Sequence, residues 1–172
     1  MSKVVNGRMT HRHEGELVAF HIGMQINRWW RPDHWLPAFM AMPRMLRELS
    51  MDKESGLLGY QLLFGSGGPF VVQYWSSVEK LYAYASAPAQ EHRPAWTAFN
   101  KAARKAPGAV GVWHETFLVD RAESIYVSTK PMGLAKATEH VTVGGRHERA
   151  QARFADGRTD AGARAEGAAA GR

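Results

Sequence analysis

Residues 56–75 read GLLGYQLLFGSGGPFVVQYW, two apolar runs separated by Gly65-Ser66-Gly67-Gly68-Pro69. A turn-rich interruption between aromatic and β-branched stretches predicts a hairpin of strands over 56–64 and 70–75. These glycines do not form a phosphate loop, because Pro69 and a strand follow them where a helix would be needed. On the N-terminal side, Val18, Phe20, Ile22 and Met24 alternate within 16–25 and predict a strand. From 34 to 49, Leu36, Phe39, Met40, Met42, Met45, Leu46 and Leu49 fall at helical spacing. Pro37 belongs to the first turn, whereas Pro43 predicts a kink or break near Met42. On the C-terminal side, 77–85 and 94–104 read as helices and 110–119 as a last strand. The order strand, helix, strand, strand, helix, strand is the ferredoxin-like α+β pattern with an antiparallel sheet. Helices cover one face of such a sheet. Its other face, apolar here, needs a partner, and two copies packed sheet to sheet predict a homodimer.

The 172 residues, 45% hydrophobic, suit one domain. Cysteine is absent, which excludes disulfides, thiolate metal sites and cysteine nucleophiles and fits a cytoplasmic setting. The leader from Met1 to Glu14 is polar without an apolar signal core, and no run approaches the ~20 apolar residues of a membrane span. The net charge is +6, but Arg28, Arg31, Arg44, Arg47, Lys101, Arg104 and Lys105 are scattered. Nucleic-acid binding, which needs a clustered basic footprint, is not expected. Residues 1–143 form the expected domain. Residues 144–172, rich in Ala, Gly and Arg, bury too little apolar surface to offset ordering and are read as a disordered tail. No nucleotide fingerprint, nucleophile elbow or zinc motif is present. His11 and His13 lie two apart in the polar leader, where a flexible segment is a better reading than a metal pair.

Several residues qualify for a site. His114 carries an imidazole, a side chain suited to proton abstraction from an acidic C–H or phenolic substrate. Glu115 follows it on a strand, so the two point to opposite faces. One would face a cavity and the other the dimer interface, where Arg28 or Arg44 could neutralise the acid. His21 and Gln25 share one strand face, fit for a cavity lining or a wet interface. Six tryptophans, among them Trp75, Trp96 and Trp113, supply flat apolar surface for an aromatic-walled pocket. Asn27 and Asn100 offer amides for a carbonyl or dioxygen. Arg44 would hold a substrate carboxylate. His92, at the start of a helix, offers a further imidazole.

The stretches 22–30 (IGMQINRWW), 41–46 (AMPRML), 73–77 (QYWSS), 92–96 (HRPAW) with Phe99-Asn100, and 112–116 (VWHET) resemble the monooxygenase-like family typified by a fungal fumagillin-pathway enzyme. That family is placed in the antibiotic-biosynthesis monooxygenase superfamily of dimeric α+β barrels. The resemblance runs from about Val4 to about Val143. It implies a cavity between sheet and helices holding a small apolar or aromatic molecule. Superfamily members include cofactor-free oxygenases, haem-degrading enzymes, chlorite dismutases and aldoxime dehydratases, so the fold alone selects no chemistry. In the cofactor-free version, His114 or His92 is the base and Asn27 with Trp75 positions the substrate, beside His21, Trp96, Trp113 and Asn100. In the haem b version, His92 ligates iron and Arg44 holds a propionate. A haem-dependent lyase or dehydratase, and a non-enzymatic haem or hydrophobic-ligand binder, are the alternatives to a small oxygenase.

Overall fold

The computed structural model describes residues 3–87, 97, 99–100, 104–157 and 159. The strands β2 (Val18–Ile26), β3 (Leu57–Gly65), β4 (Gly68–Trp75) and β5 (Val110–Leu118) form one antiparallel sheet in the order β3-β4-β2-β5. With helix α1 (Pro32–Met51) between β2 and β3, this is the ferredoxin-like order, as expected. The hairpin closes more tightly than its sequence suggests: Gly65 pairs with Gly68, leaving Ser66-Gly67 as the connection. Gly68 has φ +135°, a conformation that residues with a Cβ rarely adopt.

Helix α1 runs 20 residues and continues through Pro43 without a break. The ring removes one N–H from the ladder, so the Phe39 carbonyl loses its usual donor. Leu46 and Leu49, buried beyond the proline, hold the second half of the helix to the sheet. Helix α2 (Val78–Ser86) starts at Ser77, whose Oγ accepts the Lys80 N–H at 3.1 Å. Its first N–H, from Val78, reaches the Glu16 carboxylate at 2.9 Å, which places an anion at the positive end of the helix. Thr97, Phe99, Asn100, Arg104 and Lys105 are helical, in keeping with the helix read over 94–104. The remainder of that segment, with His92 and Trp96, lies outside the described residues.

The core lies where the helices meet one sheet face. Val18, Leu49, Trp75 and Leu81 pack there, flanked by Phe20, Leu57, Val78 and Tyr84. Fully burying each such aliphatic side chain contributes about 1.5–3 kcal/mol.

Three strands were not expected. The polar leader is β1 (Val5–Arg12), the centre of a second sheet in the order β6-β1-β7, with β6 Tyr126–Thr129 and β7 Glu139–Thr142. The short helix α3 (Leu134–Ala137) joins β6 to β7. The expected disordered tail also needs correction over its first part. A 3-10 turn (Gly145–Glu148) and helix α4 (Ala150–Asp156) follow Val143. The Arg153 side chain is the reason: only 8% exposed, it donates from Nε to Glu123 Oε1 at 2.7 Å. Its Nη1 donates to the carbonyls of His147 and Glu148 at 2.7 and 2.9 Å. Polar bonding, not apolar burial, holds this helix. Among the described residues, no helix is long and apolar enough to cross a membrane.

Candidate functional site

Strand pairing assigns each side chain of the main sheet to a face. Val18 lies opposite Trp75 and Leu118, and Ile22 opposite Val71 and His114. These, with Phe20, Gln73, Tyr60 and Leu62, share the helix-covered face. The opposite face carries His21, Gly23, Phe70, Val72, Trp113, Glu115 and Phe117.

Trp75 is on the covered face but is 0% exposed, and its Nε1 donates to Gln73 Oε1 at 2.9 Å. It is a core residue whose polar atom is satisfied within the fold. Asn27 is committed locally: its Nδ2 donates to the Gly108 carbonyl at 3.1 Å, while its backbone N–H bonds Ala109. It ties the end of β2 to the entry of β5. Arg44 is exposed on α1, and Asn100 is half-buried in the helical stretch before β5. His114 is exposed on β5, 5.7 Å from Phe20 between ring centroids.

The open face gathers the aromatic residues instead. The Trp113 ring lies over Gly23, occupying the place a Cβ would take, and stands 6.0 Å from the Phe70 ring. His21 packs 5.3 Å from Phe117, with Nδ1 3.8 Å from Glu115 Oε2. Glu115 therefore meets His21, not Arg28 or Arg44. Trp113 and Phe117 remain 37% and 47% exposed. One end of this face is covered by the chain itself. Gly133 donates to Gln61 Oε1 at 3.1 Å, and the Tyr74 hydroxyl is pushed upward in pKa by burial and then by Tyr126.

Two cavities stand out. The first, of about 450 Å³, lies between β1 and the C-terminal segment, lined by His11, His13, Glu123, Arg146, Arg153 and Asp156 among others. Its polar groups largely answer one another. Arg146 Nη2 and His147 Nε2 both meet Asp156 Oδ2, at 2.9 and 2.6 Å. His11 Nδ1 bonds Ser124 Oγ at 2.7 Å, and His13 Nε2 donates to the Glu16 carbonyl at 3.0 Å. Burial, then His13, lowers the His11 pKa, with Glu123 opposing. Among the described residues, no cluster of three or more His, Asp or Glu could hold a metal ion.

The second cavity, of about 370 Å³, lies under α1 on the covered face of β3. Phe39, Met42, Pro43, Leu46 and Met51 line it from the helix, and Tyr60 and Leu62 from the strand. It opens at the helical turn where Pro43 deprives the Phe39 carbonyl of a donor. Phe39 continues into an aromatic series, edge-to-face with Trp35 at 6.3 Å and tilted against Phe64 at 6.4 Å. Such a slot excludes water from an apolar ligand. Arg47 and Ser50 supply its polar rim; the Ser50 hydroxyl is spent on the Leu46 carbonyl at 2.6 Å. His114 does not reach this slot. It sits on β5 and the slot lies against β3, the opposite edges of the sheet, three strand spacings or about 14 Å apart.

None of the sequence-selected residues among the described ones lines this cavity. The signal that finds it is helical: Phe39, Pro43, Leu46 with Arg47, and Ser50 recur every three to four residues on one stripe of α1.

Residues 17–134 match the family model described as Monooxygenase af470-like. The chain is 32% identical over 164 residues to monooxygenase af470 of Aspergillus fumigatus, covering 79% of this chain and 56% of that relative. It therefore spans little more than half the length of that protein. Solved structures similar to it include SnoaB, a cofactor-independent oxygenase from Streptomyces nogalater (13% identity, TM-score 0.45, 63% of this chain and 97% of that one). Rv0793 from Mycobacterium tuberculosis is another (16% identity, TM-score 0.42, 63% of this chain and all of that one).

Proposed function

Because the chain belongs to the monooxygenase af470-like family, we propose that it is a small oxygenase whose apolar metabolite binds in the slot between α1 and β3. The observation that carries this reading is the slot itself, set in the family-matched segment and walled by seven apolar or aromatic side chains. The described side chains there bind, orient and keep water out; none of them is an imidazole. In the cofactor-free reaction the substrate supplies all the electrons. A CH2 group becomes C=O, its two hydrogens leave as water with one oxygen atom, and the second atom of O2 stays on carbon. Among the described residues the slot offers a haem no imidazole, and His92 lies outside them.

The open sheet face, with Phe70, Trp113 and Phe117, supports a homodimer formed by a second copy. His21 and Glu115 would then be drawn into a drier setting.

The test is oxygen uptake by the purified chain with phenolic and polyene substrates, followed by 18O2 labelling of product. The reading expects one labelled oxygen in the product per O2 consumed, lost when Leu62→Trp fills the slot. Labelled turnover undiminished by that substitution would move the reaction elsewhere. Saturable binding of the same compounds without oxygen uptake would make the protein a ligand carrier.

A further inference from the structure

The slot has one feature that an apolar ligand alone does not use. Arg47 lines it, and among the described residues no Asp or Glu does. The helix explains why this guanidinium is left over. Positions four residues away on α1 are Pro43 and Met51, and those three away are Arg44 and Ser50, so no acid lies within one turn on its stripe. Among the described residues, the Arg47 side chain makes neither a hydrogen bond nor an ion pair. A second cation reinforces the potential. Lys136 Nζ lies 4.7 Å from the centroid of the Tyr60 ring, part of the slot wall, while donating to the Tyr60 carbonyl at 3.1 Å.

An uncompensated cation beside an apolar slot is complementary to one class of molecule. We propose that the α1–β3 slot takes an amphipathic carboxylate, its hydrocarbon body against Phe39, Met42, Leu46 and Leu62 and its carboxylate on the Arg47 guanidinium. This rests on the slot being the ligand site, and it adds polarity and direction. The anionic end is held at the α1 rim, and the body points toward Tyr60 and Leu62. The guanidinium is a binding group and moves no proton.

The test uses a matched pair of fluorescent probes, 11-(dansylamino)undecanoic acid and its methyl ester, titrated into the full chain. A charge-assisted hydrogen bond contributes about 1.5–3 kcal/mol, so the acid should bind roughly tenfold or more tighter than the ester. Arg47→Gln should weaken the acid by roughly the same factor and leave the ester unchanged. Arg149→Gln, on the far C-terminal segment, should alter neither. Added salt should weaken the acid alone. Equal affinities of acid and ester for the native chain, or an Arg47→Gln variant that still prefers the acid, would overturn the carboxylate assignment while leaving the slot in place. Binding of neither probe, or binding that Leu62→Trp does not impair, would overturn the slot itself.

Discussion

In the cavity beside β1, Arg153 gives its Nε to Glu123 and its Nη1 to two carbonyls; in the slot beneath α1, Arg47 meets no such partner among the described residues. Both are helical arginines, Arg153 on the seven-residue α4 and Arg47 on the 20-residue α1, each lining a cavity of several hundred cubic ångströms. One is consumed by the fold and the other is left over. Cavity size therefore does not identify the ligand site in this molecule. The larger cavity is a closed polar network, and the smaller one holds the unspent charge.

The comparison is most open to attack at Arg153. Replacing it with Met leaves Glu123 and the His147 carbonyl without their donor, while the Glu148 carbonyl keeps the Arg8 guanidinium. The expected loss is roughly 3 kcal/mol, the low end for breaking a buried pair because the Glu123 side chain keeps 25% exposure. Urea unfolding measures it, and hydrogen exchange should show residues 145–157 opening first. A loss below about 0.5 kcal/mol would make the polar network ornamental. The same logic applies within the apolar core. Trp75→Phe removes the donor to Gln73 Oε1 and should cost about 1–3 kcal/mol, whereas a second change of Gln73 to Leu should recover part of it.

A gentler probe of the polar cavity is pH. Burial and His13 hold the His11 pKa below 6.5 in the folded chain, so the unfolded chain takes up that proton first as pH falls. The unfolded state then binds more protons, and stability declines as pH drops below 6.5 and is regained above it. The melting temperature at about pH 5.5 should lie below that at about pH 7.5, and His11→Gln should flatten the difference. The smallest effect is expected in the slot: Arg47→Met, without ligand, should shift stability by no more than about 0.5 kcal/mol. A large loss there would mean that Arg47, like Arg153, is structural.

Much of the fold was legible because its signals are local. The strands β2 to β5 announce themselves by alternation and by the glycine turn, and α1 and α2 by helical spacing. The second sheet was not legible. Strands β6 and β7 have four residues each, and they pair with β1 across more than a hundred positions of sequence. Nothing in so short a segment specifies so distant a partner. Helix α4 was missed for a different reason: its stability comes from Arg153 and Glu123, and composition counts an arginine as a disordering residue. At Pro43 the single-residue rule overstated the damage, because Leu46 and Leu49 anchor the helix beyond it.

The site was less legible than the fold. His21 and Trp113 do share a face, as their strand positions require, but it is the open one. His114 was read correctly as opposed to Glu115, yet strand order, not parity, separates it from the slot. Trp75 and Asn27 turned out to be spent on Gln73 and Gly108. The four-residue stripe of Phe39, Pro43 and Arg47 was present in the sequence. Only the structure reveals that the strand opposite it, with Tyr60 and Leu62, stands back far enough to leave a slot.

The central claim is that the slot between α1 and β3, not the polar cavity beside β1, receives the ligand. Backbone hydrogen exchange of the full chain, with and without saturating dansylundecanoate, tests it most directly. The account predicts slowed exchange confined to residues 39–51 and 57–65, with residues 8–13 and 139–157 unchanged. Protection of the second pair of segments, with α1 and β3 unaffected, would contradict it.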